Sequence, residues 1–512
     1  MKINGVKRRV FSGVMAVTLV FAMGVGVLAD GESVATAKKA TKIVLSKKSL
    51  SVKAGNEKTL RLKGVTTKKQ FKKIKWTVSD KSVADIDPDD IGKTLYVFGN
   101  KPGKVSVKAK YKKKTYTCKV TVRSSGSGKV YLPESSGGAS TAVYWSYEDS
   151  WFTAPASTYN QKIATMTAIL AWASVPEYEE FAEGNPSFYV KRVTDMLGFD
   201  GYRTNEDYKV KPTADSFGVA FAKKQIKSGD KTYTLIVIVP RSSGYGKEWA
   251  SNMTLGTSGD HEGFSKSSKK LLSDLTQYMT DEQITGDVKL WFACHSRGAS
   301  TANLEEAYIA DHPEDIPKSV TIEKEDIYGY NLSCLHPTTF TDETEKKRKE
   351  TDYPFIHNIE MPNDFFTHLM SESYGFTRYG VTHKIEVNDE ITGKAVYVLL
   401  KSIDRQLYVR FDKSNPEKND AEGLIAAFSE AMKKTIPDRQ TFVSEYQEKA
   451  RQALDTDGNQ ITQLGLILAP VINNVDYKSM TMLDFLGKID TITLEHYLQV
   501  LYVFLTDFDF KG

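Results

Sequence analysis

Between Lys42 and Val122 the apolar positions fall in short alternating runs separated by turn residues: Ile43-Val44-Leu45, Leu60-Arg61-Leu62, Ile74 to Val78, Val105-Ser106-Val107 and Tyr116 to Val122. A period of two puts successive side chains on opposite faces of a strand, so the stretch predicts a small β-sandwich. Beyond residue 140 the pattern changes. Apolar strand-like runs, Leu235 to Val239 and Leu290 to Ala293 among them, alternate with helical periods and predict an α/β layered region. Helical patterns over Ala421 to Lys434 and Asp438 to Leu454 belong to a helical insertion expected at about 400–480.

The ends of these regions set the organisation. Lys2, Lys7, Arg8 and Arg9 precede an uncharged apolar run from Val10 to Ala29, the layout of a secretory signal peptide, with cleavage expected after the small residues at Val27 and Ala29 or at Ala35 and Ala37. A retained membrane anchor is the other reading of that run. We therefore expect a signal peptide and short leader over 1–37, the sandwich over 38–123, a Ser/Gly linker over 124–140 and the α/β region over 141–512. The exported protein would be secreted or held at the cell surface, with no transmembrane segment after signal cleavage.

Charge divides the chain in the same place. The net charge is +5, yet residues 38–123 hold 25 basic and 6 acidic residues, which leaves 124–512 at −16. A basic sandwich on an exported protein suggests an anionic cell-wall polymer as partner. Lysines that only keep sheet edges from pairing are the alternative. Nucleic acid is not expected, because no aromatic-basic interleaving or groove-reading helix accompanies the charge. Three cysteines, Cys118, Cys294 and Cys334, are too few and too scattered for a disulfide framework, and no Cys/His cluster has zinc spacing.

The chemistry centres on Cys294-His295-Ser296-Arg297-Gly298, between a strand pattern over Asp287 to Ala293 and a helix pattern over Arg297 to Ala307. A serine hydroxyl is a poor nucleophile until a base takes its proton, and a strand-turn-helix elbow presents it clear of the backbone for that purpose. The helix start also aims backbone N–H groups at a developing oxyanion. Cys294 stands where Gly-x-Ser-x-Gly has its first glycine, a position that must be small. A plain strand-helix connection with a capping serine is the competing reading.

Two resemblances extend these readings. Ser49 to Gly55, Trp76 to Asp80, Ser82 to Asp87, Pro102 to Val105 and Cys118 to Val122 resemble the landmarks of group 2 bacterial immunoglobulin-like domains, with Trp76 between the sheets and Gly55 and Gly103 in turns of positive φ. The strand ending in Pro240-Arg241-Ser242-Ser243, then Tyr245 to Asn252, His261-Glu262-Gly263-Phe264 and the Ser296 elbow resemble, in that order, class 3 lipases with an α/β-hydrolase fold.

The second resemblance implies a secreted serine hydrolase that cleaves carboxylic esters, acylglycerols or other lipid esters, through a Ser-His-Asp triad. No metal or organic cofactor is required. The oxyanion hole would take the backbone N–H of Arg297 and one from Ser242 or Ser243, and His261 would be structural. Asp364, in Asn363-Asp364 after the strand from Phe355, would be the acid, with Asp352 a second candidate. Chain order leaves His368, His383 and His496 as bases. His368 follows Asp364 too closely, His496 is preferred and His383 is the alternative. A surface-binding or adhesion protein with an inactive or secondary hydrolase-like domain is the rival reading.

Overall fold

The computed structural model describes residues 42–123, 126–133, 140–175, 188–208, 213, 215–241, 246–362, 364–368, 374–385, 421–455, 463, 465, 467–477 and 498–505. Strands of four or more residues and helices of seven or more are numbered here in chain order. The expected signal segment lies outside the described residues.

The N-terminal domain holds β1 (Ser49–Lys53), β2 (Glu57–Leu60), β3 (Lys75–Val78), β4 (Ala84–Pro88), β5 (Leu95–Gly99), β6 (Gly103–Tyr111) and β7 (Lys114–Arg123). They form two sheets, β1-β7-β6-β3 and β2-β5-β4. Alternation decides what lies between them: Leu50 and Val52, Val105 and Val107, and Val120 and Val122 turn inward onto Leu95 and Val97 of the other sheet. Trp76 packs against this core and against a second apolar cluster around Phe71 and Tyr111. Gly55 has the expected positive φ of 73°. Gly103 does not, and its requirement is space, since a Cβ there would stand 2.9 Å from Val83 Cγ1.

The Ser/Gly-rich run expected as a linker over 124–140 needs correction. Residues Ser127–Pro133 form β8, paired antiparallel with β9 (Ser140–Ser146) from Ser127 opposite Ser146 to Pro133 opposite Ser140. Val130, Leu132, Val143 and Trp145 are buried in the same core as the α/β region. Gly128 serves packing, because a Cβ would meet Trp145 Cζ2 at 2.9 Å.

The remaining strands are β10 (Asp200–Thr204), β11 (Val219–Ser228), β12 (Lys231–Pro240), β13 (Gly286–His295), β14 (Ile327–Leu332), β15 (Ile356–Glu360) and β16 (Val381–Lys384). They lie side by side in that order, antiparallel from β10 to β12 and parallel from β12 to β16. Strands β12 and β13 are covered on both faces, which is why Leu235 to Val239 and Leu290 to Ala293 read as unbroken apolar runs. One face carries α1 (Gln161–Ser174) and α8 (Leu498–Leu505). Trp291 Nε1 donates to Thr167 Oγ1 of α1 at 3.1 Å. The other face carries α3 (Glu262–Asp281) and α4 (Arg297–Asp311), and α2 (Phe188–Leu197) and α5 (Glu343–Thr351) complete the layer connections.

A third body of helices includes α6 (Ala421–Thr435), α7 (Glu448–Leu454) and the short Ala469–Ile472. Leu424, Phe428, Leu454 and Val471 share one apolar cluster with Phe365 and Phe366, Leu304 of α4, and Met253 and Leu255. The insertion thus rests on loops at the C-terminal edge of the parallel sheet. No helix among the described residues is long and apolar enough to cross a membrane.

Candidate active site

Ser296 stands between the last residue of β13 and the first of α4, with φ 53° and ψ −124°. Side chains other than glycine rarely adopt such a backbone, and strain of this kind persists only where surrounding bonds hold it. Here they do: Ser296 N donates to Leu332 O at 2.9 Å, and Ser296 O accepts from Ser300 N at 2.9 Å and Ser300 Oγ at 3.1 Å. Gly298 lets the first turn of α4 lie against the end of β12, since a Cβ there would stand 3.0 Å from Pro240 Cβ. The N–H of Arg297 is one of those at a helix start that the helix leaves unused. Ser296 itself is buried, 3% exposed.

Asp364 is fully buried four residues beyond β15, on the same sheet edge as Ser296. Its Oδ1 accepts from Phe366 N at 3.1 Å. Two strand spacings, about 10 Å, separate the axes of β13 and β15. Asp352 is at the opposite edge: it caps the C-terminus of α5 before β15 begins, and it is exposed.

His383 sits in β16, three strand spacings or about 14 Å from β13. Its Nε2 is 3.0 Å from Nδ1 of His357, and its ring stacks on Tyr159 at 4.2 Å. His357 Nε2 lies 2.9 Å from Ala156 O, and burial holds His357 down at about 4 and His383 below its ordinary value. The structure therefore brings His383 to a neutral histidine pair and not to Ser296. His368 ends the short helix Phe365–His368. His496, Ser242 and Ser243 lie outside the described residues.

Behind the elbow is a buried charge cluster. Arg241, at the end of β12, donates from Nη2 to Glu248 Oε1 at 2.7 Å and from Nη1 to Tyr208 O at 3.2 Å. Arg297 Nη1 is 4.0 Å from the same Glu248 oxygen, while its Nε donates to Ser251 Oγ at 2.7 Å and its Nη2 to Ser267 Oγ at 3.2 Å. Two guanidinium groups thus face one carboxylate beneath the N-terminus of α4, where dipole and charge both favour an anion. His261 caps α3, its Nδ1 accepting from Phe264 N at 3.4 Å and its Nε2 3.0 Å from Asn252 O. Burial pushes it down to about 3, so it is a neutral structural residue. Gly263 allows α3 to lie on the preceding loop, because a Cβ would stand 2.1 Å from Ser251 O.

Further along α4 are two buried carboxyls. Glu305 accepts from Ser268 Oγ at 2.7 Å, and burial pushes it up to about 8. Glu306 accepts from Asn331 Nδ2 at 2.7 Å and is raised well above the carboxylate range, again by burial. Cys294 is buried and its thiol is held protonated by burial, with Glu306 and Cys334 adding to the shift. All three cysteines are free and buried. Arg378 ties the loop after β14 to the end of β15, donating to Cys334 O at 2.8 Å and Glu360 Oε2 at 2.7 Å. Among the described residues no group of three His, Cys, Asp or Glu side chains is placed to hold a metal ion.

The helical insertion is latched over this edge. Arg439 donates to the carbonyls of Gly256 at 2.7 Å, Gly259 at 2.7 Å and Leu255 at 2.5 Å. Gln447 Oε1 accepts from Leu255 N at 2.8 Å and Gly256 N at 3.2 Å.

Residues 39–124 match the family model of the bacterial Ig-like domain (group 2). The N-terminal domain is Ig-like. The match ends before β8 begins, so it leaves the α/β region unassigned. No curated protein matches the chain. Among solved structures, domains 5-6 of the S-layer protein SbsC align at 10% identity with 40% of this chain and 84% of that one, with a TM-score of 0.15. At that value the alignment carries no argument.

Ser296 and Asp364 stand out in the sequence through the runs of residues on each side of them, whereas Glu248, Ser251 and Ser267 do not. Nothing local distinguishes Glu248 from a surface acid. Its seven-residue separation from Arg241 becomes informative only once the chain folds back after β12.

Proposed function

We propose that the region following the Ig-like domain is an α/β-hydrolase-type domain, and that Ser296 is the nucleophile of an exported carboxylic ester hydrolase acting on acylglycerols or other lipid esters. The observation that carries this reading is the strained backbone of Ser296 at the junction of a buried parallel strand and a helix. The ordered resemblance to class 3 lipases supports it. In the proposed reaction Ser296 Oγ attacks the ester carbonyl while His496 takes its proton and then passes it to the leaving alcohol oxygen. Asp364 orients the imidazole. The oxyanion is held by the N–H of Arg297 and by one from Ser242 or Ser243, above the Arg241-Glu248-Arg297 cluster. Water then attacks the acyl-enzyme, releasing the acid. The apolar cluster under α6 and α7 would receive the acyl chain.

A non-catalytic surface protein is the rival, favoured by the Ig-like match. Initial rates on p-nitrophenyl esters of increasing chain length separate the two. Ser296→Ala and His496→Ala should each lower kcat/KM by at least about a thousandfold, with His383→Ala within a few-fold of wild type. Wild-type rates no higher than those of Ser296→Ala would refute hydrolysis.

A further inference from the structure

One surface of the Ig-like domain is organised in a way that edge protection does not explain. On the outer face of the β1-β7-β6-β3 sheet, Lys104, Lys108 and Lys110 of β6, Lys119 of β7 and Lys75 of β3 are all exposed. Register places Lys75 directly opposite Lys110, and Lys53 beside Arg123. Like charges in directly opposed positions are destabilising. Strands β6 and β7 are interior to the sheet, so lysines there guard no edge. None of the six acidic residues of residues 42–123 lies on these four strands. Among the described residues, none of these cations has a carboxylate partner.

The charges form a lattice. Alternate residues of one strand are about 6.8 Å apart and neighbouring strands about 4.8 Å apart. Thr77, Thr115, Thr117 and Thr121 fill outward positions between the cations. Ammonium and hydroxyl groups together donate well to phosphate oxygens. Trp76 and Tyr116 turn to the apolar clusters instead, so the face offers no platform on which bases stack.

We propose that this face binds a linear polyol-phosphate polymer, whose regularly spaced phosphodiesters lie across β6 and β7. The interaction does not depend on the chemistry of Ser296. The test uses the full chain and immobilised poly(glycerol phosphate). Binding should be measurable at about 0.02 M salt and fall at least about tenfold by 0.5 M. The triple variant Lys104→Gln, Lys108→Gln, Lys110→Gln should lose at least about tenfold in affinity, while Lys58→Gln, Lys81→Gln, Lys93→Gln, which removes equal charge elsewhere on the domain, should lose less than about twofold. Circular dichroism of both variants verifies that they remain folded. Equal losses in the two variants, no binding at low salt, or equally tight binding of single-stranded DNA of matched charge would each overturn the proposal.

Discussion

Glu248 Oε1 lies 2.7 Å from Arg241 Nη2 with both side chains fully buried, and the same oxygen is 4.0 Å from Arg297 Nη1. One carboxylate thereby ties the loop after β12 to the first residue after Ser296. Removing it takes away the carboxylate that two buried guanidinium groups share. Glu248→Ala should lower unfolding free energy by about 3–5 kcal/mol, read from denaturant midpoints at constant slope. A loss below about 1 kcal/mol would mean that this cluster does not hold the elbow.

Gly263→Ala opposes helix propensity to packing. Propensity favours alanine in α3, whereas the added methyl carbon would stand 2.1 Å from Ser251 O, a backbone atom that cannot swing aside. Packing should win, with a loss of about 1–3 kcal/mol. A stabilised variant would contradict the close seating of α3.

The elements most legible in the sequence were those whose local pattern matches their environment. Leu235 to Val239 and Leu290 to Ala293 are apolar throughout because β12 and β13 are covered on both faces, and Arg297 opens a helix. Helix α1 escaped notice because almost every side of it is buried, which erases the 3.6-residue period. Strand β8 was mistaken for a linker since Gly128 looks like flexibility in sequence and turns out to make room for Trp145. Glu305 and Glu306 look like solvated helix positions, and only the neighbouring strand and α3 show that they are buried.

Glu305 gives a signed pH dependence. In the unfolded chain its carboxyl ionises near its ordinary value of 4.5, whereas in the fold it keeps its proton up to about 8. The folded state therefore binds more protons over that interval, so this contribution is complete below 4.5 and is lost as pH rises through about 8. Glu305→Gln keeps the acceptor for Ser268 and removes the titration. Relative to wild type, its melting temperature should rise steadily between pH 5 and 8. Parallel curves for the two proteins would contradict a protonated Glu305.

Arg439 offers a test of access. Ser296 is buried, and Arg439 latches the helical insertion to the carbonyls of Leu255, Gly256 and Gly259. Arg439→Ala should loosen the cover and raise the second-order rate of labelling by a small fluorophosphonate several-fold, with a modest loss of thermal stability. An unchanged or slower rate would show that the insertion does not gate the site.

If Ser296 is an activated nucleophile, a covalent adduct on it can be located directly. The full chain is treated with a fluorophosphonate, digested and mapped by mass spectrometry. One phosphonylated residue, Ser296, is expected, with no adduct in Ser296→Ala. An adduct on another serine, equal labelling of the variant, or an unmodified wild type after prolonged exposure would contradict it.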